Sequence, residues 1–536
     1  MNKSCLSDPI PRLFSKKYFA AIFSLGLLFF LPFENISAQA PAKPTSADIL
    51  QSIKKLQVLG SVCFVAAHPD DENTRLISFL ANERLFDVTY LSLTRGDGGQ
   101  NLIGPEIREL LGVIRTQELL AARRIDGGKQ LFSRANDYGY SKKPSEAFRT
   151  WNRAEVLEDV VWAFRKLQPD VVINRFTTDT SFENHGHHTA SAILSSEAYD
   201  LAGKRDFLPQ QFNFGVGPWQ PRRLFFNTSW WFYGSKEKFD AADKTNLFPL
   251  DLGVFLPLKG KSNTEIAAES RSMHRCQGFG STGTRGENID YFDFLKGERP
   301  TTTDPFSGIN TTWTRVPGGE KIGKMLAKIE QNFRADNPSA SIPELVKAMQ
   351  AIEKLPDSFW KKKKLADIQA VIKNCSGLFL EAVAADFSAV PGEKIKVKLE
   401  AINRSAAAIS LVGLKILPTG ADSSMNLVLP QNKSFFIEKW LEIAPNAQPT
   451  SPYWLKENYD IGMYKVPEQT LRGLPETPRY GQVRWQFLVA GEPMEFGEEE
   501  HMWGEIDTSN DARVREVRPA GGGRMRGRSA VGAVRR

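Results

Sequence analysis

Apolar and polar positions change their rhythm three times along the chain. In the first long stretch, short apolar runs end in polar turns: Cys63-Phe64-Val65-Ala66-Ala67, then Asp87 to Leu93, then Pro169-Asp170-Val171-Val172-Ile173-Asn174-Arg175. Runs of this length bounded by turn residues predict buried strands. Helical spacing lies among them, in a stretch carrying Leu110, Leu111, Ile114, Leu119 and Leu120 and again from Thr264 to Arg275. From about residue 325 the apolar period settles near 3.6 and predicts helices over Lys321 to Arg334, Ile342 to Leu355 and Trp360 to Glu381, broken by Asn337-Pro338 and Pro356-Asp357. Lys361 to Lys364 read as a solvated helix face. After Val383 the period shortens again. Lys394 to Ile402 alternates as a half-buried strand does, and Ser410 to Leu417, Ser434 to Leu441 and Gly481 to Val489 follow it between Pro- and Gly-rich turns. That pattern predicts a β-sandwich-like domain. Beyond Asp511 the chain is mostly Arg, Gly, Ala and Val without periodicity, which cannot build a core and predicts a disordered tail.

The two ends alter how composition is read. Lys3, Arg12, Lys16 and Lys17 precede the apolar stretch Tyr18 to Phe33, and Ala38-Gln39-Ala40 follows as a small-residue cleavage site. This is the pattern of a secretory signal peptide, so the mature protein is expected in the periplasm or outside the cell. The apolar run falls short of the roughly 20 residues that span a membrane, so no stable span is expected once the signal is removed. The four cysteines, Cys5, Cys63, Cys276 and Cys375, are widely spaced, with one in the signal, and make neither a disulfide framework nor a thiolate metal site. The formal charge of +7 is concentrated in the termini: the first 40 residues contribute +2 and residues 501–536 contribute +4, leaving +1 for the body. Nucleic-acid binding needs a localised basic footprint, and the body's net charge supports none.

The chemistry gathers where two of the predicted strands end. His68-Pro69-Asp70-Asp71-Glu72 follows the first apolar run, and Asn184-His185-Gly186-His187-His188 follows the run ending at Arg175. In an open α/β sheet, polar groups beyond the carboxyl ends of strands face a crevice. Imidazoles and neighbouring carboxylates there supply ligands for a divalent ion. The chain has only six histidines, and four of them fall in these two segments. Dinucleotide binding is disfavoured, because the first turn carries carboxylates where phosphate needs glycines and backbone N–H groups.

These residues carry a resemblance. Ala67-His68-Pro69-Asp70-Asp71-Glu72 and His185-Gly186-His187-His188 resemble the two signature motifs of the PIG-L or LmbE-like family of zinc-dependent N-acetyl-sugar deacetylases, with similarity over roughly residues 58–330. Leu91-Ser92-Leu93-Thr94-Arg95-Gly96-Asp97-Gly98-Gly99, Arg115-Thr116-Gln117-Glu118 and His274-Arg275-Cys276-Gln277 support it in order. The resemblance implies a Rossmann-like fold with a mostly parallel sheet, one zinc ion, and hydrolysis of the acetamide of an N-acetylated sugar or glycoconjugate. It also implies that His68, Asp71 and His188 are the zinc ligands. Three protein ligands leave a position for water, as catalytic zinc does and structural zinc does not. Asp70 is the expected general base, and His185 the expected oxyanion donor or acid. Arg95, Asp97, His274 and Gln277 are the expected substrate-binding residues, although Arg95 and Asp97 equally fit a role in holding their turn. Glu72 reads as a helix N-terminal acid, and Arg115 with Glu118 as an intrahelical ion pair. The run Phe225 to Tyr233 reads chiefly as core packing.

The chain departs from the family pattern in three places. His187 stands where many members have Asp, Asp97 where Glu is frequent, and Cys276 where Ser or Thr is common. The first departure leaves the protonation of His185 open. The domain boundaries expected are signal 1–40, deacetylase domain 41–325, helical connector 326–382, β-sandwich-like domain 383–500 and tail 501–536. Two other functions stay open: an exported carbohydrate-binding or scaffold protein with a vestigial metal site, and a zinc hydrolase of another amide or ester.

Overall fold

Strand β1 (Ser61–Ala66) is buried along its whole length, as a strand covered on both faces must be. Its side chains alternate between two cores. Val62, Phe64 and Ala66 join one together with Leu76, Tyr90 and Phe225, while Cys63 and Val65 join the other with Val160, Phe164 and Leu194. In the computed structural model, which describes residues 43–180, 184–386, 388–418, 420–498 and 505–506, β1 lies at the centre of a seven-stranded sheet. It pairs in parallel with β2 (Asp87–Ser92) and with β4 (Val171–Asn174). Outside these lie β3 (Lys129–Phe132) and β5 (Arg223–Thr228), also parallel. Beyond β5, the strand β7 (Ile289–Gly297) runs antiparallel between β5 and β6 (Leu247–Asp251). The order is therefore β3-β2-β1-β4-β5-β7-β6, a mostly parallel α/β sheet.

The direction of winding reverses between β1 and β4, and ligands of open α/β sheets bind at that switch point. Both histidine motifs leave the sheet there. His68 to Glu72 connects β1 to helix α2 (Thr74–Asn82), whose N-cap Asn73 accepts the Leu76 N–H. The second motif opens helix α4 (Gly186–Leu201), with His185 as its N-cap. Between them run α3 (Glu109–Asp126) and Arg153–Leu167.

The later helices form at Glu320–Gln331, Ile342–Glu353 and Phe359–Cys375. The third ends earlier than its apolar spacing predicts. Gly377, at φ 59°, turns the chain, and Phe379–Ala384 becomes a strand. Helix α1 (Ser46–Leu56), which the expected boundary groups with the deacetylase domain, packs Ile49, Ile53 and Leu56 into the core these helices share with the sandwich. The sandwich has a three-stranded sheet of Phe379–Ala384, Lys394–Ile402 and Ser434–Glu442, and a four-stranded one of Ala421–Val428, Ile409–Leu417, Gln482–Val489 and Glu492–Glu498.

Residues 443–481 leave the sandwich and dock on the α/β domain. Phe132 N–H donates to Gly473 O at 3.1 Å, Asn136 N–H to Gly462 O at 2.9 Å and Tyr464 N–H to Arg134 O at 2.8 Å. The expected signal segment 1–40 lies outside the described residues. Of the expected tail only Glu505–Ile506 are described, and they pair in parallel with Ser388–Ala389. No helix among the described residues is long and apolar enough to cross a membrane.

Candidate metal centre

The turn after β1 is held from outside at three successive carbonyls. Tyr90 Oη donates to His68 O, Gln277 Nε2 to Pro69 O at 2.8 Å, and Arg271 Nη1 to Asp70 O. Asp70 adopts φ 144°, a conformation that costs a non-glycine residue on the order of 1–3 kcal/mol and persists only where its surroundings impose it. The result is that two adjacent carboxylates serve two different surroundings.

Asp71 faces the imidazoles. Its Oδ2 lies 3.2 Å from His68 Nδ1 and accepts the His68 backbone N–H at 2.7 Å, and its Oδ1 lies 3.3 Å from His188 Nε2. Burial raises the Asp71 pKa, but the two imidazoles outweigh that and hold it well below the usual carboxylate range. Asn184 Oδ1, 2.7 Å from His188 Nδ1, accepts its proton and leaves the Nε2 lone pair directed at the centre. Phe176 stacks on the same ring at 3.8 Å. One ligand atom from each of His68, Asp71 and His188 falls within 4.8 Å of the others. Two imidazoles and a carboxylate beside a cavity are the donor set of a catalytic zinc site, so these side chains fit the metal.

A second cluster shares His68. His68 Nε2 lies 3.3 Å from His187 Nδ1, and the Asp137 carboxylate is 3.9 Å from each ring. His187 is fully buried, stacked on Trp151 at 4.8 Å, and its Nε2 has no partner among the described residues. This group faces the interior, so it backs His68 while the first group faces solvent. Metal-bound histidines almost always engage a partner through their other nitrogen, and His187 stands where His68, if it held a metal, would find one, with Asp137 3.9 Å from both rings. Sequence reading did not find Asp137. Its one signal was its place just beyond the carboxyl end of β3, the edge where α/β sites assemble.

The four expected substrate-binding residues, Arg95, Asp97, His274 and Gln277, are all buried and make interior contacts. Arg95 is 1% exposed: its guanidinium sits 3.4 Å from the Trp454 ring centre and 4.2 Å from that of Phe132, and donates to Thr116, Tyr453, Leu474 and Pro475. Asp97 accepts the Tyr464 hydroxyl at 2.6 Å and the Asp137 N–H at 3.2 Å, and burial pushes its carboxyl up to about 7. Gly98 must lack a side chain, since a Cβ there would come within 2.6 Å of the Asp137 carboxylate. The Gly-rich loop therefore positions Asp137 and seats residues 453–475. His274 is fully buried with Nε2 2.7 Å from Glu72 Oε1, and Gln277 is spent on Pro69.

Glu72 is likewise not a solvated helix-terminal acid. Burial would raise its pKa, but His274 and Arg123 hold it down to about 2. Arg115 and Glu118 do not pair. Arg115 donates to Gln100 O at 2.9 Å, and Glu118 accepts from Cys276 N–H at 2.7 Å and from its thiol at 2.9 Å. These side chains act through the backbone of the turn and its supports.

Asp70, Asp71 and His188 open onto a cavity of about 560 Å³, whose wall also includes Arg175, Arg271 and Trp231. Burial, then the neighbouring Asp71 charge, pushes Asp70 up to about 7. His185 is not on that wall; its ring lies 5.1 Å from His188 and meets exposed Tyr140 edge-on at 5.1 Å. His185 Nδ1 accepts the His187 N–H at 3.3 Å, which leaves the ring proton on Nε2. No carboxylate partner is needed for that assignment, and burial with the neighbouring His68 lowers its pKa to about 4. In the aromatic run, Phe225, Phe226 and Phe232 are buried as core, while Trp230 and Trp231 are half exposed.

No curated protein matches the chain. Among solved structures, the N,N'-diacetylchitobiose deacetylase of Pyrococcus horikoshii aligns at 16% identity and TM-score 0.29, over 50% of this chain and 82% of its own. The 4-carboxy-2-hydroxymuconate hydratase of Pseudomonas putida aligns at 16% identity and TM-score 0.29, over 45% and 99%. The family model described as PIG-L, GlcNAc-PI de-N-acetylase, matches residues 63–199, the span that holds both histidine motifs. Residues 63–199 of this chain are a PIG-L family domain.

Proposed function

We propose that this protein is an exported, zinc-dependent amidohydrolase that removes the acetyl group from an N-acetylated amino sugar or glycoconjugate. The observation that carries the reading is the three-donor set of His68, Asp71 and His188 opening onto a cavity beside a second, separately held carboxylate, Asp70. The family domain supports deacetylation, and the leader-like pattern of residues 1–40 supports export.

Zinc, when bound by those three side chains, acidifies water and polarises a carbonyl. The remaining work belongs to the protein. Asp70 takes a proton from the water that attacks the amide carbon, and as the C–N bond breaks it returns that proton to the departing amine, leaving acetate and the free amino sugar. His185 lies off the cavity wall with its ring 5.1 Å from that of His188, and in this reading its Nε2 proton is the donor to the oxygen that gains charge once substrate is bound. Tyr90, Gln277 and Arg271 fix the carbonyls of His68, Pro69 and Asp70, and so hold the turn in which Asp70 and Asp71 face different surroundings.

The test is zinc content of the purified mature protein with acetate release from N-acetylglucosamine compounds, before and after chelation. About one zinc per chain and chelator-sensitive release are expected. Zinc without acetate release would assign another amide or ester, and a chain that binds no metal would return the protein to the binding-module reading.

A further inference from the structure

His68 presents its two ring nitrogens to two different groups. Nδ1 lies 3.2 Å from Asp71 Oδ2 on the side of the cavity, and Nε2 lies 3.3 Å from His187 Nδ1 on the side of the interior. The inner side holds a donor set of its own: one ring nitrogen from each of His68, His185 and His187 falls within 4.8 Å of the others. Two nitrogens held tetrahedrally by one ion at about 2.0–2.1 Å stand roughly 3.3 Å apart, so the His68–His187 spacing is that of neighbouring ligands. Packing fixes it, since His187 is fully buried with Trp151 stacked on its ring at 4.8 Å and Tyr138 edge-on at 4.5 Å.

Proton placement makes the two donor sets alternatives, because a neutral imidazole has one lone pair to give. When His68 turns Nδ1 to an ion shared with Asp71 and His188, its proton sits on Nε2 and goes to His187. When it turns Nε2 inward, the proton sits on Nδ1 and Asp71 Oδ2 accepts it, the carboxylate–histidine–metal arrangement that orients ligating imidazoles. Asp71 thus serves both states, as ligand in one and as acceptor in the other. His185 has a matching acceptor in Ser141 Oγ, 3.4 Å from its Nδ1, which frees Nε2 as a ligand.

We propose that His68, His185 and His187 form a second metal seat, that it holds copper(II), and that an ion there excludes one at His68, Asp71 and His188. No carboxylate joins this set; Asp137, 3.9 Å from a nitrogen of His68 and of His187, answers the ion's charge from outside. A buried double charge is less compensated by three neutral donors than by a set containing Asp71, so zinc is held more weakly in the inner seat than in the outer. Copper(II), which nitrogen sites bind most tightly among the first-row divalent ions, is the ion that stays. The seat itself does not depend on the deacetylase reading. On that reading an ion there takes His68 from the catalytic set and His185 from the oxyanion, so copper silences turnover without entering the cavity.

Pulsed EPR of copper(II) bound to the full chain carrying His188→Ala tests the seat, because that substitution disables the outer set and leaves the inner one whole. Coordination by three imidazoles is expected, whereas copper kept by the remnant of the outer set would show the His68 imidazole alone. Adding His187→Asn should lower the count to two, and adding His185→Ala, at a half-buried position, should do the same without disturbing the core. A count below three in His188→Ala, or a count of three that survives both further substitutions, would overturn the seat. In the unsubstituted chain loaded with both metals, zinc and copper should sum to about one ion per chain by elemental analysis, and a chain holding one of each would overturn the exclusion. Acetate release from the zinc-loaded chain is scored separately: its absence would remove the deacetylase reading and leave the copper seat standing, whereas release together with a low imidazole count would do the reverse.

Discussion

Asp97→Asn is the substitution whose consequence follows most directly from the structure. Asp97 is 3% exposed, accepts hydrogen bonds from the Tyr464 hydroxyl and the Asp137 N–H, and has its pKa pushed from the ordinary 3.8 up to about 7 by burial. A raised folded-state pKa means that the native state binds the proton more tightly than the unfolded chain. The associated stability is complete below pH 4 and is lost as pH rises through about 7. A rise from 3.8 to about 7 corresponds to roughly 4 kcal/mol, an upper figure for one buried group. Asparagine keeps both contacts, with its oxygen accepting from Asp137 N–H and its amide donating to Tyr464 Oη, and carries no charge to desolvate. Thermal unfolding of both proteins at a fixed scan rate from pH 4.5 to 8.5 should show near-equal midpoints at the acid end. The variant should then gain several degrees at the alkaline end. Curves that stay parallel across this range would refute the assignment of a buried, reluctantly charged Asp97.

Asp70→Asn should keep its zinc by elemental analysis and lose turnover by roughly two to four powers of ten; a variant with near-normal turnover would remove the general-base role. His188→Ala should lose the metal itself, and normal zinc content there would contradict the ligand set. Asp137→Asn tests the support behind His68: competition with a chromogenic chelator should show zinc affinity reduced about tenfold, since partners of metal-bound histidines contribute on that scale. Trp454→Ala removes the ring that covers the Arg95 guanidinium at 3.4 Å, so a loss of about 3–5 kcal/mol and new protease cleavage within residues 452–475 are expected. An unchanged midpoint and cleavage pattern would show that the segment is held elsewhere.

Local pattern was enough to read much of this protein. The apolar runs at 63–67, 87–93 and 169–175 became central strands, because a fully buried strand needs apolar residues on both faces and nothing else in those stretches offers them. The strand-end rule marked the two histidine segments, the family resemblance singled out His68, Asp71 and His188 within them, and one ligand atom from each of these three lies within 4.8 Å of the others. Alternation likewise marked Lys394–Ile402 and Gln482–Val489 in the sandwich. What the sequence could not express was which polar groups would be covered. Arg95, Asp97, His274 and Gln277 have the residue types of a substrate site, yet each is spent on the interior. Whether a charged side chain faces a cavity or a neighbouring segment depends on what packs over it. Residues 453–475 lie 358 to 380 positions downstream of Arg95 and carry no period linking the two. Glu72 is decided in the same way, by His274 lying 202 residues away. Asp137, remote from both motifs in sequence, meets His68 only because β3 and β1 belong to one sheet. Short-range periodicity determined the strands and the helices, and the ligand set came from the resemblance of the two histidine motifs to a known family. Burial, and with it the division of polar residues into those that act and those that hold, was decided only by long-range packing, because desolvation belongs to the completed tertiary structure.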